Sequence, residues 1–151
     1  MKKINIVLMT LLVLTFSIAL SSEAFDIPKH VYSIDQLQQA KDQAKADKKQ
    51  IVFVFSDERT NCVASSKASI GMMQRFKKNS VVVYFGKEKW AKAPQIVREA
   101  INSPEAGVII PITVVVDTSI KKVVSLIPYQ QGNSSGRYPQ ADFYLRPPAK
   151  K

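Results

Sequence analysis

The chain contains one cysteine, Cys62, and it stands where a polar loop at residues 56–61 gives way to a helical pattern. A helix N-terminus carries partial positive charge and unpaired N–H groups, a setting that favours a thiolate. Arg59 adds positive charge in the loop, and Asp57 and Glu58 offset it at similar range. Ser65 follows three residues on, and Arg59 precedes by three. A lone cysteine forms no disulfide within its own chain. Cys62 is therefore a buried small side chain, a free thiol, or half of a bridge to another chain. With one histidine, His30, and one cysteine, a Cys/His zinc site is excluded by count. No metal and no cofactor is expected. A Cys-His hydrolase would need His30 as its base, and His30 falls in a lead-in segment.

The N-terminus has the pattern of an export signal. Lys2 and Lys3 form a positive start, residues 4–20 an apolar run, and Ser22-Glu23-Ala24 a small-residue site for cleavage. We expect residues 1–24 to be a Sec-type signal peptide removed after Ala24, which places the mature chain in the periplasm or outside a bacterial cell. The apolar run is short for a membrane span, so no stable anchor is expected after cleavage. The chain of 151 residues carries a formal charge of +10, and the leader accounts for +1 of it through Lys2, Lys3 and Glu23. Such a charge favours solubility and attraction to anionic surfaces. Export argues against nucleic acid as the partner and leaves anionic surfaces and proteins of the envelope.

Elements must position the thiol. Ser33 and Gln36 fit a capping box before a helix at 34–47, with Ile34, Leu37, Ala40 or Lys41, and Ala44 along one stripe. Residues 51–55 and 81–85 are continuous apolar runs, the mark of strands covered on both faces. Between them a helix from 61 or 62 to 78 is expected to turn Ile70, Met73 and Phe76 inward, with Val63 and either Ser66 or Lys67 a turn earlier. Pro94 suits the first turn of a third helix, with Ile96, Val97, Ala100 and Ile101 apolar. Residues 112–117 and 121–127 complete a hairpin around Asp117, Thr118 and Ser119. Residues 25–32 read as an extended lead-in. The order is α, β, α, β, α, β, β, an α/β domain at residues 25–129 with parallel crossovers and a closing antiparallel hairpin. Residues 130–151 are rich in Gly, Ser, Pro and charge and read as a flexible or partner-docking tail. Exposed aromatics in a polar segment suit partner contact, so Tyr138, Phe143 and Tyr144 are the candidate partner-binding residues.

This order resembles the thioredoxin fold over residues 34–129. Phe53-Val54-Phe55 leads through a polar loop into the cysteine-bearing helix, and Ile110-Pro111-Ile112-Thr113 is similar to the Ile-Pro-Thr segment of that family. The resemblance implies a three-layer sandwich and a cis Ile110–Pro111 bond facing the redox site. It also implies catalytic candidates: Cys62, Ser65 and Pro111. The family's Cys-x-x-Cys is absent. Either Arg59 stands in the attacking position and Cys62 in the resolving one, or Cys62 attacks and Ser65 replaces the resolving cysteine. The second alternative is similar to the Cys-x-x-Ser of monothiol glutaredoxins. Dithiol cycling within one chain is impossible on either, because a mixed disulfide needs a second thiol for release. The peroxiredoxin pattern Pro-x-x-x-Thr-x-x-Cys is not present, and the family's last helix has no counterpart after Tyr129. The expected function is that of an exported thioredoxin-like domain without dithiol cycling. It would act as a protein-binding or structural accessory subunit of a bacterial envelope assembly of the secretion or conjugation type. The alternative is a monothiol oxidoreductase or isomerase using Cys62, and the balance is against an enzyme.

Overall fold

The computed structural model describes residues 25–57 and 59–130. The expected signal peptide, its cleavage site, and Tyr138, Phe143 and Tyr144 lie outside the described residues.

A five-stranded sheet in the order β1-β3-β2-β4-β5 forms the middle layer. Its strands are β1 (Tyr32–Ser33), β2 (Gln50–Phe55), β3 (Ser80–Phe85), β4 (Ile112–Val116) and β5 (Val123–Ile127). The helices are α1 (Leu37–Asp47), α2 (Val63–Phe76) and α3 (Gln95–Ile101), with 3-10 segments at Ile34–Gln36, Lys87–Lys92 and Pro104–Ala106. The central strands read as unbroken apolar runs because both faces are covered. Alternate residues Ile51, Phe53, Val114 and Val116 join Ala40, Ala44, Val97 and Ile101 in a core under α1 and α3. Val52, Val54 and Val115 join Met72, Met73 and Phe76 in a second core under α2.

Three features differ from expectation. Tyr32, at the end of the expected lead-in, and the capping residue Ser33 form an edge strand pairing in parallel with β3, Tyr32 opposite Val83. The helix expected at 34–47 opens as a 3-10 turn, and the Ser33 N–H donates to Gln36 Oε1 at 3.0 Å as the capping box requires. β4 runs antiparallel to β2, Phe55 opposite Ile112 and Ile51 opposite Val116. The connection through α3 therefore returns to the end of the sheet it left, where a crossover would have carried it to the other end. The parallel crossover that does occur joins β2 to β3 through α2.

The inner face of α2 also differs. Ser65, Ala68, Ser69, Met72, Met73 and Phe76 are buried, whereas Val63 is 65% exposed. Apolarity marks the inner stripe only in the last turns. At the N-terminal end the stripe is serine, small enough for close approach to the sheet and hydrogen-bonded there.

The hairpin between β4 and β5 is organised by Asp117. Its carboxylate accepts from the Ser119 hydroxyl and from the backbone N–H groups of Lys121 and Lys122, the latter two at 2.7 and 2.8 Å. These donors, Ser119 foremost, hold its pKa down at about 2. A depressed carboxylate contributes stability that is complete above its unfolded value and is lost as pH falls through the folded one. Asp117→Asn is therefore expected to lower stability at pH 6, by less than about 1 kcal/mol because the site is solvated. Urea unfolding of the two chains should converge between pH 4 and pH 2.

Candidate functional site

Cys62 is the N-cap of α2, in extended backbone with φ −83° and ψ 101°. It is exposed, and no disulfide engages it. The loop leading to it is held by local hydrogen bonds. The Arg59 N–H donates to Asp57 Oδ1 at 3.0 Å, and the Cys62 N–H donates to Thr60 Oγ1 at 3.1 Å. The Cys62 carbonyl then accepts the Ser66 N–H at 3.0 Å, the first bond of the helix. Arg59 reaches away from the thiol into an ion pair with Glu88, Nη2 to Oε1 2.7 Å, which ties the loop to the 3-10 segment after β3. Both side chains are largely solvated, so this pair positions the loop more than it stabilises the fold.

The Ile110–Pro111 peptide is cis, as the resemblance implied. Gly107 at φ +68° turns the chain out of the Pro104–Ala106 segment, and the loop then runs to Pro111. It meets α2 at Ser65, whose hydroxyl donates a long hydrogen bond of 3.4 Å to the Ile110 carbonyl. Cys62, Ser65 and the loop of Pro111 therefore meet at one end of the sheet, beyond the C-terminus of β2. Ser65 and Pro111 are buried and Cys62 is not.

Behind this surface lies a seam of hydroxyls. Ser69 Oγ donates to the Ser65 carbonyl at 2.8 Å and lies 2.6 Å from Ser56 Oγ, both serines being buried. Thr113, beside Val54 in the sheet register, points to the same side as Val115. Its Oγ1 is buried with no protein partner. These small polar groups let the start of α2 sit close to the sheet while the thiol stays outside.

Next to the thiol, and in the loop that Ser65 meets, three apolar side chains are exposed. Val63 is 65% exposed, and in the loop before Pro111 Val108 is 97% and Ile109 48% exposed. Exposed apolar side chains grouped in this way mark interaction sites more often than scattered ones do. Sequence reasoning missed them. Val63 has the apolarity of a core position, and nothing in the pattern of residues 105–110 marks Val108 and Ile109 for exposure.

Trp90, the lysines beside it and His30 take structural places. Trp90 packs on Phe55 and Phe85 with ring centroids 5.3 and 6.2 Å away, and lines a shallow cleft with Lys87, Ile101 and Asn102. Lys89 and Lys92 close on Asp35, whose carboxylate is held below its usual range by the Lys89 hydrogen bond first and that from Lys92 next. His30 Nε2 is bonded to the Met73 carbonyl at 3.1 Å. Met73 is roughly 16 Å along α2 from Cys62 at 1.5 Å per residue, so the imidazole serves packing away from the thiol.

Among solved structures, the chain is similar to a disulphide isomerase from Xylella fastidiosa Temecula1. The likeness has a TM-score of 0.50 at 18% identity and covers 80% of this chain and 94% of that one. No family model matches the chain, and no curated protein matches it. The fold is thioredoxin-like, and the single cysteine makes the chain a degenerate example of it, without the Cys-x-x-Cys pair.

Proposed function

We propose that this thioredoxin-like domain is an exported protein-binding subunit of a bacterial envelope assembly, which holds its partner on the surface around Cys62 and does not cycle disulfides. The observation that carries the reading is the grouping of Val63, Val108 and Ile109 with an exposed thiol that has no second cysteine in the chain. Disulfide cycling within one chain needs paired sulfurs, whereas a docking site needs exposed apolar area on a rigid frame. The frame here is the N-terminus of α2 braced on the loop of Pro111. The leader-like residues 1–24 support export, and Tyr138, Phe143 and Tyr144 offer a second, tail-borne contact. A secretion or conjugation apparatus is the kind of assembly that would use such a subunit.

The exposure of Cys62 favours a second reading, a monothiol oxidoreductase or isomerase. The placement suits the Cys-x-x-Ser alternative, with Cys62 outside on the N-cap and Ser65 beneath it. The thiolate would attack a client disulfide and form a mixed disulfide with release of one client thiolate. A thiol from another molecule would then attack that bond and free Cys62. The experiment that separates the readings is alkylation of Cys62 in the isolated chain and in the envelope of producing cells. A docking subunit shows a protected thiol in the envelope, and protection lost in Val108→Asp/Ile109→Asp. A turning-over oxidoreductase shows a thiol equally reachable in both settings, apart from trapped clients.

A further inference from the structure

The end of the sheet opposite Cys62 has a different character. Gln50 pairs with Ser80, Ile51 with Val116, and Val116 with Val123, so the starts of β2, β3 and β5 and the end of β4 lie together. The C-termini of α1 and α2 arrive at the same end, because each feeds directly into β2 or β3. Thr118 in the hairpin donates to the Lys49 carbonyl at 3.0 Å and locks the turn onto the end of α1. This pole gathers Lys45 and Lys48 from α1, Lys77 and Lys78 after α2, and Lys121 and Lys122 from the hairpin, all exposed.

Its nearby carboxylates are occupied. Asp47 pairs with Lys49 at 3.2 Å, Asp117 is taken up by its own turn, and Asp42 accepts from Gln38 at 2.9 Å. None of the exposed lysines just named is in an ion pair among the described residues. Lysines after a helix complement its dipole, which accounts for those at α1 and α2. Lys121 and Lys122 follow the Asp117–Ile120 turn and have no dipole to serve.

We propose that this basic pole is a peripheral docking surface for an acidic phospholipid bilayer. The proposal does not depend on the reading of Cys62. The composition selects a lipid surface over a protein. Protein interfaces centre on aromatic and apolar residues and are depleted in lysine, and among the described residues the large exposed apolar side chains, Val63, Val108 and Ile109, are at the opposite pole. Arginine is the residue of choice where a carboxylate or phosphate is gripped in fixed geometry, whereas lysine acts as a hydrated point charge on a long stem. A cluster of hydrated point charges suits a planar array of headgroup phosphates. No helix among the described residues is long and apolar enough to cross a membrane, so the contact lies at the surface. Docked this way, the thiol and its apolar rim face away from the bilayer.

The test is flotation of the full chain with phosphatidylglycerol-rich vesicles and with phosphatidylcholine vesicles. Residues 1–24 offer an apolar run to both vesicle types and Lys2 and Lys3 to the anionic ones, so the change in preference between variants is the readout. The chain is expected to prefer the anionic vesicles. Lys78→Gln/Lys121→Gln/Lys122→Gln should reduce that partitioning on the order of 100-fold at low ionic strength. Lys67→Gln/Lys87→Gln/Lys92→Gln, removing the same charge away from this pole, should reduce it far less. Circular dichroism checks that both variants fold. Equal losses in the two variants, absence of a preference for anionic vesicles, or retention on polyglutamate or duplex DNA without vesicle binding would overturn the proposal.

Discussion

Phe53→Ala is expected to destabilise the domain by about 3–5 kcal/mol, the usual cost of emptying a fully buried aromatic site. Phe53 is 0% exposed on the central strand β2, between β3 and β4, and its ring meets Phe85 edge-on with centroids 6.4 Å apart. Its neighbours are strand residues fixed by pairing on both sides, so the space cannot close by moving a loop. For a domain of about 100 residues the loss corresponds to a fall in thermal midpoint of roughly 15–30 °C. Phe55→Ala, two residues on at the rim of the same core and partly exposed, should cost about half as much. Thermal unfolding followed by circular dichroism compares the two. Equal effects would mean that the core under α1 and α3 is not centred on β2.

Ser65→Cys is expected to switch on chemistry that the native chain lacks. The introduced thiol would lie beneath Cys62 in the first turn of α2, against the loop of Pro111. Cys62 would attack a client disulfide and release one client thiolate. The introduced thiolate would then attack Cys62 Sγ, release the second client thiolate and leave an intrachain disulfide for an external dithiol to reduce. Reduction of insulin by dithiothreitol should accelerate about tenfold or more over background. The native chain and Ser65→Ala should remain at background. So should Arg59→Cys, because Arg59 lies in the loop and is directed toward Glu88. Activity from Arg59→Cys and none from Ser65→Cys would reverse the roles assigned to the two flanking positions.

The layers were legible in the sequence because buried strands and amphipathic helices leave different periods. The runs at 51–55 and 81–85 read as strands covered on both faces, and Ile34, Leu37 and Ala44 give the phase of α1, with Ala40 rather than Lys41 turned inward. The two-residue strand β1 leaves no period, and only its register against Val83 reveals it. The direction of β4 was hidden for another reason. A helix of seven residues between strands looks like a crossover, and its loops decide which end of the sheet the chain returns to. At the site, Cys62, Ser65 and Pro111 could be named from the resemblance. The apolar rim could not, since Val63, Val108 and Ile109 read as ordinary core or connection residues until their exposure is seen. The serine stripe at the start of α2 shifted the apparent inner face by the same mechanism. Close approach to the sheet selects small side chains there, and hydrophobicity stops being the marker.

The account turns on whether the surface around Cys62 is covered by a partner. Its direct test is the rate at which a membrane-impermeant maleimide alkylates Cys62, in the purified chain and in the envelope fraction of producing cells. The account predicts rapid labelling of the purified chain and labelling slowed about tenfold or more in the envelope, as for a thiol enclosed in an interface. It also predicts that Val108→Asp/Ile109→Asp restores the rapid rate. A thiol labelled equally fast in both settings, with no change in the variant, would contradict it.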